Sequence, residues 1–456
     1  MRRKDGSGEV AGELGGMVSG RRTDESRRAV RSGFGAAVVA LGVLVMAPGP
    51  SRAAEVVAAA PTAPAVSAAP TAPAAGAAQA APMGARFEKL ESVQAFDALM
   101  ATLGEMRTMI LTDATSEREA AEGMRFLLRT LAMSQDVSGD GYPRAPHFAR
   151  MDTPRRKLGG DNPNAEYDNF AWNGAYDYRI TGNRGTLDHL SFTVLLRGEN
   201  GRSRALGYVN ERQLEAAPDG SFTLWLTAKK PTQPGVWIKT GPGDGSVLVR
   251  QYVGDRGKEA LATYRVEVVG REPLDPLPPS TDAEVAHGIR MTLSAMNGLG
   301  RLHHYVTPRL GESPNQFRLM NSDDFGADIS SIDNLYVIGT YEIEEDEALV
   351  VEVERLDVRY WNFAIENPWH ESVDYAQRKT ARTHDDVTVD PDGKVRFVIA
   401  HARTDHPNYL ETAGHRRGFM TFRWVGERDT KAPLPKVTKV SVSKAAAEAR
   451  RAGAKR

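Results

Sequence analysis

The chain has 456 residues, 41% of them hydrophobic, enough for two or three domains with cores of their own at ~100 to 200 residues each. Its 58 basic and 59 acidic residues nearly cancel, and the first 53 residues hold nine of the former against five of the latter, so the remainder is mildly acidic. That balance excludes a nucleic-acid partner, because no basic surface is left to neutralise several phosphates.

At the N-terminus, Arg27, Arg28 and Arg31 precede an apolar run from Phe34 to Met46, a Pro/Gly break and Ser51-Arg52-Ala53. This is the order of an export signal with its cleavage site, so residues 1–53 predict an exported, periplasmic or extracellular protein. The run is short for a helix crossing a ~30 Å hydrocarbon layer, and no transmembrane span is expected once the signal is removed. Sec and twin-arginine routes both stay open, as do Met1 and Met17 as starts. The chain has no cysteine, so an exported form gains nothing from disulfides. Residues 54–85 are almost entirely Ala, Pro and Val, a spacer that cannot build a core.

Residues 86–139 predict two helices. The first places Leu90, Val93, Phe96, Leu99, Met100 and Leu103 at helical spacing, and the second opens at Ser116 with an acidic first turn. From 140 to 275, short alternating runs separated by Gly, Pro, Asn and Asp predict a first antiparallel β module. A helical connector follows at 276–329, then a second β module at 330–442. The basic tail at 443–456 predicts at most a loose helix.

The two β regions repeat each other. Both run from a Pro-Asp-Gly turn through an alternating strand and a polar loop to an apolar strand ending in arginine. The register pairs Pro218 with Pro391, Trp237 with Tyr409, Thr240 with Thr412, Gly245 with Gly418, and Arg250 with Arg423. The fold expected is mainly β: two similar antiparallel sandwich or jelly-roll-like modules, with an N-terminal helical pair and an inter-module helix. All six tryptophans lie in the modules. Trp225, Trp361 and Trp424 fit strand cores, whereas Trp172, Trp237 and Trp369 stand in loop-like contexts suited to lining a pocket.

The segments "RYWNFAIENPWHESVDY", "DPDGKVRFVIAH" and "PNYLETAGHRRGFMTFRW" resemble the C-terminal module of a bacterial family described as domain of unknown function 1214. "PRRKLGGDNPNAEYDNFAW" and "VWIKTGPGDGSVLVRQYVGD" resemble its N-terminal part, so the resemblance spans about residues 140–442. It implies an all-β architecture and no particular reaction. Related sequences tend to read His-Arg-Asp-Pro after the strand where this chain has His401-Ala402-Arg403-Thr404-Asp405, which leaves the role of an acid there open.

Five of the ten histidines, His370, His384, His401, His406 and His415, fall in the second module among Glu366, Glu371, Asp374, Asp405 and Glu411. Two of these histidines with a carboxylate could ligate a divalent metal, but their spacing matches no helical zinc signature, so no metal ligands are assigned and the cofactor stays unknown. The candidate catalytic residues are Glu371, His401, Glu411 and His415, acids and imidazoles suited to proton transfer. Trp369, Arg403, Tyr409 and Trp237 are the candidate ligand-binding residues, with Gly414 folding His401 and His415 together. Ser372 lacks a nucleophile elbow. The preferred reading is an exported protein binding a small polar ligand, carbohydrate-like, at loops of the second module. The alternatives are a hydrolase using the His/Glu set, either metal-assisted or carboxylate-based, and a structural envelope protein.

Overall fold

Alternation along the strands explains most of the architecture. The computed structural model describes residues 86–198, 203–271, 279–320, 331–355, 357–425 and 433–445, without the side chains of 301, 304–306, 309 and 310. The export signal, the Ala/Pro spacer and most of the basic tail lie outside the described residues.

The first module comprises β1 (Ala149–Arg150), β2 (Ala165–Asn173), β3 (Tyr178–Asn183), β4 (His189–Arg197), β5 (Ser203–Asn210), β6 (Ser221–Thr227), β7 (Val236–Lys239), β8 (Asp244–Tyr252) and β9 (Thr263–Val268). The second comprises β10 (Gln316–Met320), β11 (Asn334–Glu342), β12 (Glu347–Glu354), β13 (Tyr360–Glu366), β14 (Ala381–Thr383), β15 (Lys394–Ala400), β16 (Tyr409–Glu411), β17 (Arg417–Val425) and β18 (Lys436–Ser441). Sheet orders β1-β2-β8-β4-β5 and β7-β6-β3-β9 recur as β10-β11-β17-β13-β14 and β16-β15-β12-β18. Every strand thus has a counterpart nine strands later. Even the exceptions match, because β6–β7 and β15–β16 are parallel pairs in otherwise antiparallel sheets. The two-module, mainly β fold read from sequence is what the chain forms. Its second module starts earlier than expected, since β10 lies within the stretch read as connector and pairs with β11.

The turns and register follow the repeat. Gly220 and Gly393 take φ +82° and +81°, the left-handed conformation that their Asp-Gly turns need. Thr240 N–H donates to Thr227 O and Thr412 N–H to Ala400 O, so the paired threonines sit alike after β7 and β16.

Each module buries one face of its five-stranded sheet against its four-stranded sheet. Phe170, Phe192, Val247 and Val249 pack with Ile180 and Leu224 in the first, and Phe363, Met420 and Phe422 with Val351 and Phe397 in the second. Trp225, Trp361 and Trp424 are buried as expected. Trp172 and Trp237 are strand residues, in β2 and β7, rather than loop residues. Trp172 is fully buried because its ring covers Gly245 on the neighbouring strand, where a Cβ would come within 2.6 Å of it.

The five-stranded sheets are buried on their other faces too. All seven positions of β13 and eight of nine in β17 are buried, whereas a free-standing sandwich strand would expose alternate residues. The two five-stranded sheets supply the cover for each other. Ala165, Tyr252, Tyr360 and Val425 form one cluster across the seam, with the Tyr252 and Tyr360 rings stacked at 5.1 Å.

Three helices close the remaining side: α1 (Glu91–Asp113), α2 (Glu117–Ser134), which runs into a π turn at Gln135–Gly139, and α3 (Asp282–Gly311). Ser116 accepts from Glu119 N–H at 3.2 Å, so α2 starts where sequence placed it. The buried stripe of α1 is Ala95, Leu99, Thr102, Met106 and Ile110. The expected face is rotated away from the core, since Phe96 and Met100 are 51% and 52% exposed. Smaller Ala95 and Thr102 face inward instead, in a bundle whose shared apolar cluster joins Leu99, Met106 and Ile110 to Phe126 and Met296.

Candidate functional site

Period two decides what lines the space between the facing sheets. β8 sends Val247 and Val249 into its own core and turns Ser246, Leu248 and Arg250 the other way; β17 does the same with Phe422 against Thr421 and Arg423. Together with Ala295, Leu299 and Leu302 of α3 and Val137 of the π turn, these outward residues enclose a cavity of about 220 Å³.

Two arginines enter it from equivalent stations. Arg250 lies opposite Tyr167 on β2, and Arg423 opposite Tyr336 on β11; both are 2% exposed. Their surroundings differ. Arg423 Nη2 donates to Glu366 Oε1 at 2.9 Å and to Gly160 O at 2.9 Å. Arg250 Nη1 donates to Thr193 Oγ1 at 3.1 Å, and among the described residues no carboxylate pairs with it. The difference traces to one position: Ser246 faces Leu195 on β4, and its counterpart Phe419 faces Glu366 on β13.

Glu366 is also 3.7 Å from His370 Nδ1. Burial opposes its charge, but the hydrogen bond with His370 and the charge of Arg423 hold its carboxyl below the usual range. His370 adopts φ +60°, stacks on Phe419 at 3.6 Å, and is pinned by Gly160 N–H donating to its carbonyl. Its Nε2, Arg423 Nη1 and Asn169 Oδ1 are buried without a hydrogen-bond partner among the described residues; the three residues line the cavity, but these atoms are closed off from it. Asp161 also lines the wall, but its carboxylate accepts from Ser372 N–H at 2.8 Å and from Ser372 Oγ. Lys157 Nζ donates to Ser372 Oγ at 2.9 Å. Burial pushes Asp161 up to about 6, and burial with the Asp161 charge pushes Asp152 up to about 7.

None of the eight sequence-selected residues lines this cavity. Three of them receive α2. Arg129 Nη1 donates to Glu371 Oε1 at 2.8 Å, His415 Nε2 lies 2.7 Å from Glu122 Oε2, and Trp369 Nε1 donates to Glu119 O at 2.9 Å. Gly123 makes that approach possible, since a Cβ there would stand 2.9 Å from the Trp369 ring. His401 and His415 do meet around Thr412, with His401 Nδ1 2.6 Å from its hydroxyl and His415 Nδ1 2.8 Å from its carbonyl oxygen. Gly414 takes φ +81° between them and the strand, but the other nitrogen of each ring is also taken up, His401 Nε2 lying 3.3 Å from Ile343 O. Glu411 pairs with Arg378, Tyr409 OH donates to Ala400 O at 3.4 Å, and Trp237 Nε1 donates to Thr227 Oγ1 at 3.0 Å. Arg403 is exposed. Trp369 borders a separate recess of about 140 Å³ beside His303 and Phe419.

Sequence reasoning passed over Arg250, Arg423 and Glu366 as site residues. A signal was present: each is a charge next to apolar strand residues, and the two arginines were already matched by the repeat.

Residues 165–256, from β2 through β8, match the family model described as "Protein of unknown function (DUF1214)", which is the resemblance read from sequence. The crystal structure of an uncharacterised protein from Burkholderia cenocepacia is similar at 28% identity and a TM-score of 0.72, covering 78% of this chain and 99% of that one. A Vibrio parahaemolyticus protein shows a looser likeness, 10% identity and a TM-score of 0.40, over 68% of this chain and 100% of that one. No curated protein matches the sequence. Among the described residues, no helix is long and apolar enough to cross a membrane.

Proposed function

We propose that the protein is exported and binds a small ligand in the cavity between its modules, rather than at the loops of the second. One observation carries this reading: Arg250, a buried arginine, lines the cavity, and among the described residues no carboxylate pairs with it. A buried charge left without a counter-charge is costly, and a bound anion that pairs with it recovers that cost. Ala295 of α3 lines the cavity, and Ala295→Phe should occupy much of it. Wild-type full chain screened against small metabolites by thermal shift should show hits that Ala295→Phe loses; hits unaffected by the substitution place the site elsewhere. Export of the same chain should leave a mature protein beginning at Ala54.

The hydrolase reading keeps one specific support, now on different residues. Glu366 lies 3.7 Å from His370 Nδ1 and both residues line the cavity, a carboxylate beside an imidazole as a general base uses. A ligand recovered chemically changed from wild type and unchanged from His370→Gln favours turnover; one recovered unchanged from both favours binding.

A further inference from the structure

The wall of the cavity specifies more than its existence. Its cations are Arg197, Arg250 and Arg423, and its carboxylates are Glu366, committed to Arg423, and Asp161, turned to Ser372. Arg250 is therefore a buried guanidinium whose compensating charge is not supplied by any described carboxylate, and the desolvation of an isolated buried charge is severe. The rest of the lining is apolar, with Met133, Met151, Leu195, Leu248, Leu299 and Ile338 contributing. A volume of about 220 Å³ lies below the ~300–1,000 Å³ common for small-molecule pockets, which limits the occupant to a compact molecule.

Resting on the cavity reading above, we propose that the ligand is a small amphipathic monoanion: an organic acid whose single carboxylate pairs with Arg250 and whose apolar body lies along α3 and the Leu195–Leu248 side. The repeat explains the count of one. A carboxylate is already built into the second module as Glu366, and the first module has Leu195 at that station, so the ligand supplies to Arg250 what the protein supplies to Arg423.

The test uses the full chain and straight-chain alkanoates of increasing length, each set beside the alcohol and the α,ω-diacid of the same length, with binding read by calorimetry. A monoacid should bind about 10- to 100-fold more tightly than its alcohol, the gain expected of a charged hydrogen bond, and the diacid should bind no better than the monoacid. Affinity should rise with chain length to an optimum and then fall. Arg250→Met should remove the preference for the acid. Leu195→Glu, which copies the second module's arrangement onto the first, should do the same while keeping Arg250 in place. Equal binding of acid and alcohol, or of acids to wild type and Leu195→Glu, overturns the proposal, and so does a wild type that binds none of the series. The cavity reading survives these failures if other molecules bind and Ala295→Phe abolishes them; it falls if that variant changes nothing.

Discussion

The two modules share every strand and nearly every turn, yet they treat the same arginine in opposite ways. In the second, Arg423 and Glu366 form an internal pair; in the first, Arg250 faces the cavity with a threonine hydroxyl as its neighbour. The scaffold is thus insensitive to which chemistry occupies the cavity face, because that face adds nothing to the module's own core. The loops of the second module differ for another reason. His415, Glu371 and Trp369 are spent on holding α2 against that module.

The largest effect should come from breaking the internal pair. Arg423→Met leaves Glu366 buried without its cation and should cost about 3–5 kcal/mol in urea denaturation, whereas Arg250→Met removes an unpaired charge and should cost little in ligand-free protein. Equal losses would erase the distinction between the modules. A smaller effect is expected at the clamp. Burial alone would raise the Glu122 carboxyl, but its hydrogen bond with His415 holds it low. His415→Ala should therefore destabilise by about 1–3 kcal/mol without weakening ligand binding, and His401→Ala should do less. Loss of ligand affinity in either folded variant would return the site to the second module's loops.

The smallest effect lies ahead of β2. Asp152 is nearly fully buried and its carboxyl is raised from 3.8 to about 7, so the protonated form is the one the fold favours. Its contribution is complete at acid pH and fades as pH rises through about 7. Asp152→Asn should flatten that dependence and raise the melting temperature at pH 8 by roughly 2 °C or more relative to wild type. A variant whose pH profile parallels the wild type would show that Asp152 ionises normally.

Much of the fold was legible because local chemistry and tertiary structure agree. Asp219-Gly220 and Asp392-Gly393 are turns in sequence and in space, Ser116 caps a helix, and a strand follows each Pro-Asp-Gly where it was expected. The phase of α1 was not legible, since Phe96 and Met100 are more hydrophobic than Ala95 and Thr102 but face away from α3's bundle. The location of the cavity was missed because it depends on which sheet faces are covered twice, a property of two modules together. Trp369 and His415 looked like pocket residues for a related reason: aromatic and imidazole groups in a loop suit a ligand and a docked helix equally well.

The seam itself has a consequence for assembly. Tyr252 meets Val425, its counterpart in the repeat, and Arg250 and Arg423 open into one chamber, so like parts approach like parts across the boundary. That is the geometry of an isologous contact, the kind by which two identical subunits join about a two-fold axis. The chain behaves as a dimer whose halves have been fused, and fusion is what permits the halves to differ. A true homodimer carrying Glu at the Leu195 station would neutralise both arginines, and one carrying Leu at both would neutralise neither. A homodimer cannot hold one of each; a covalently joined pair can.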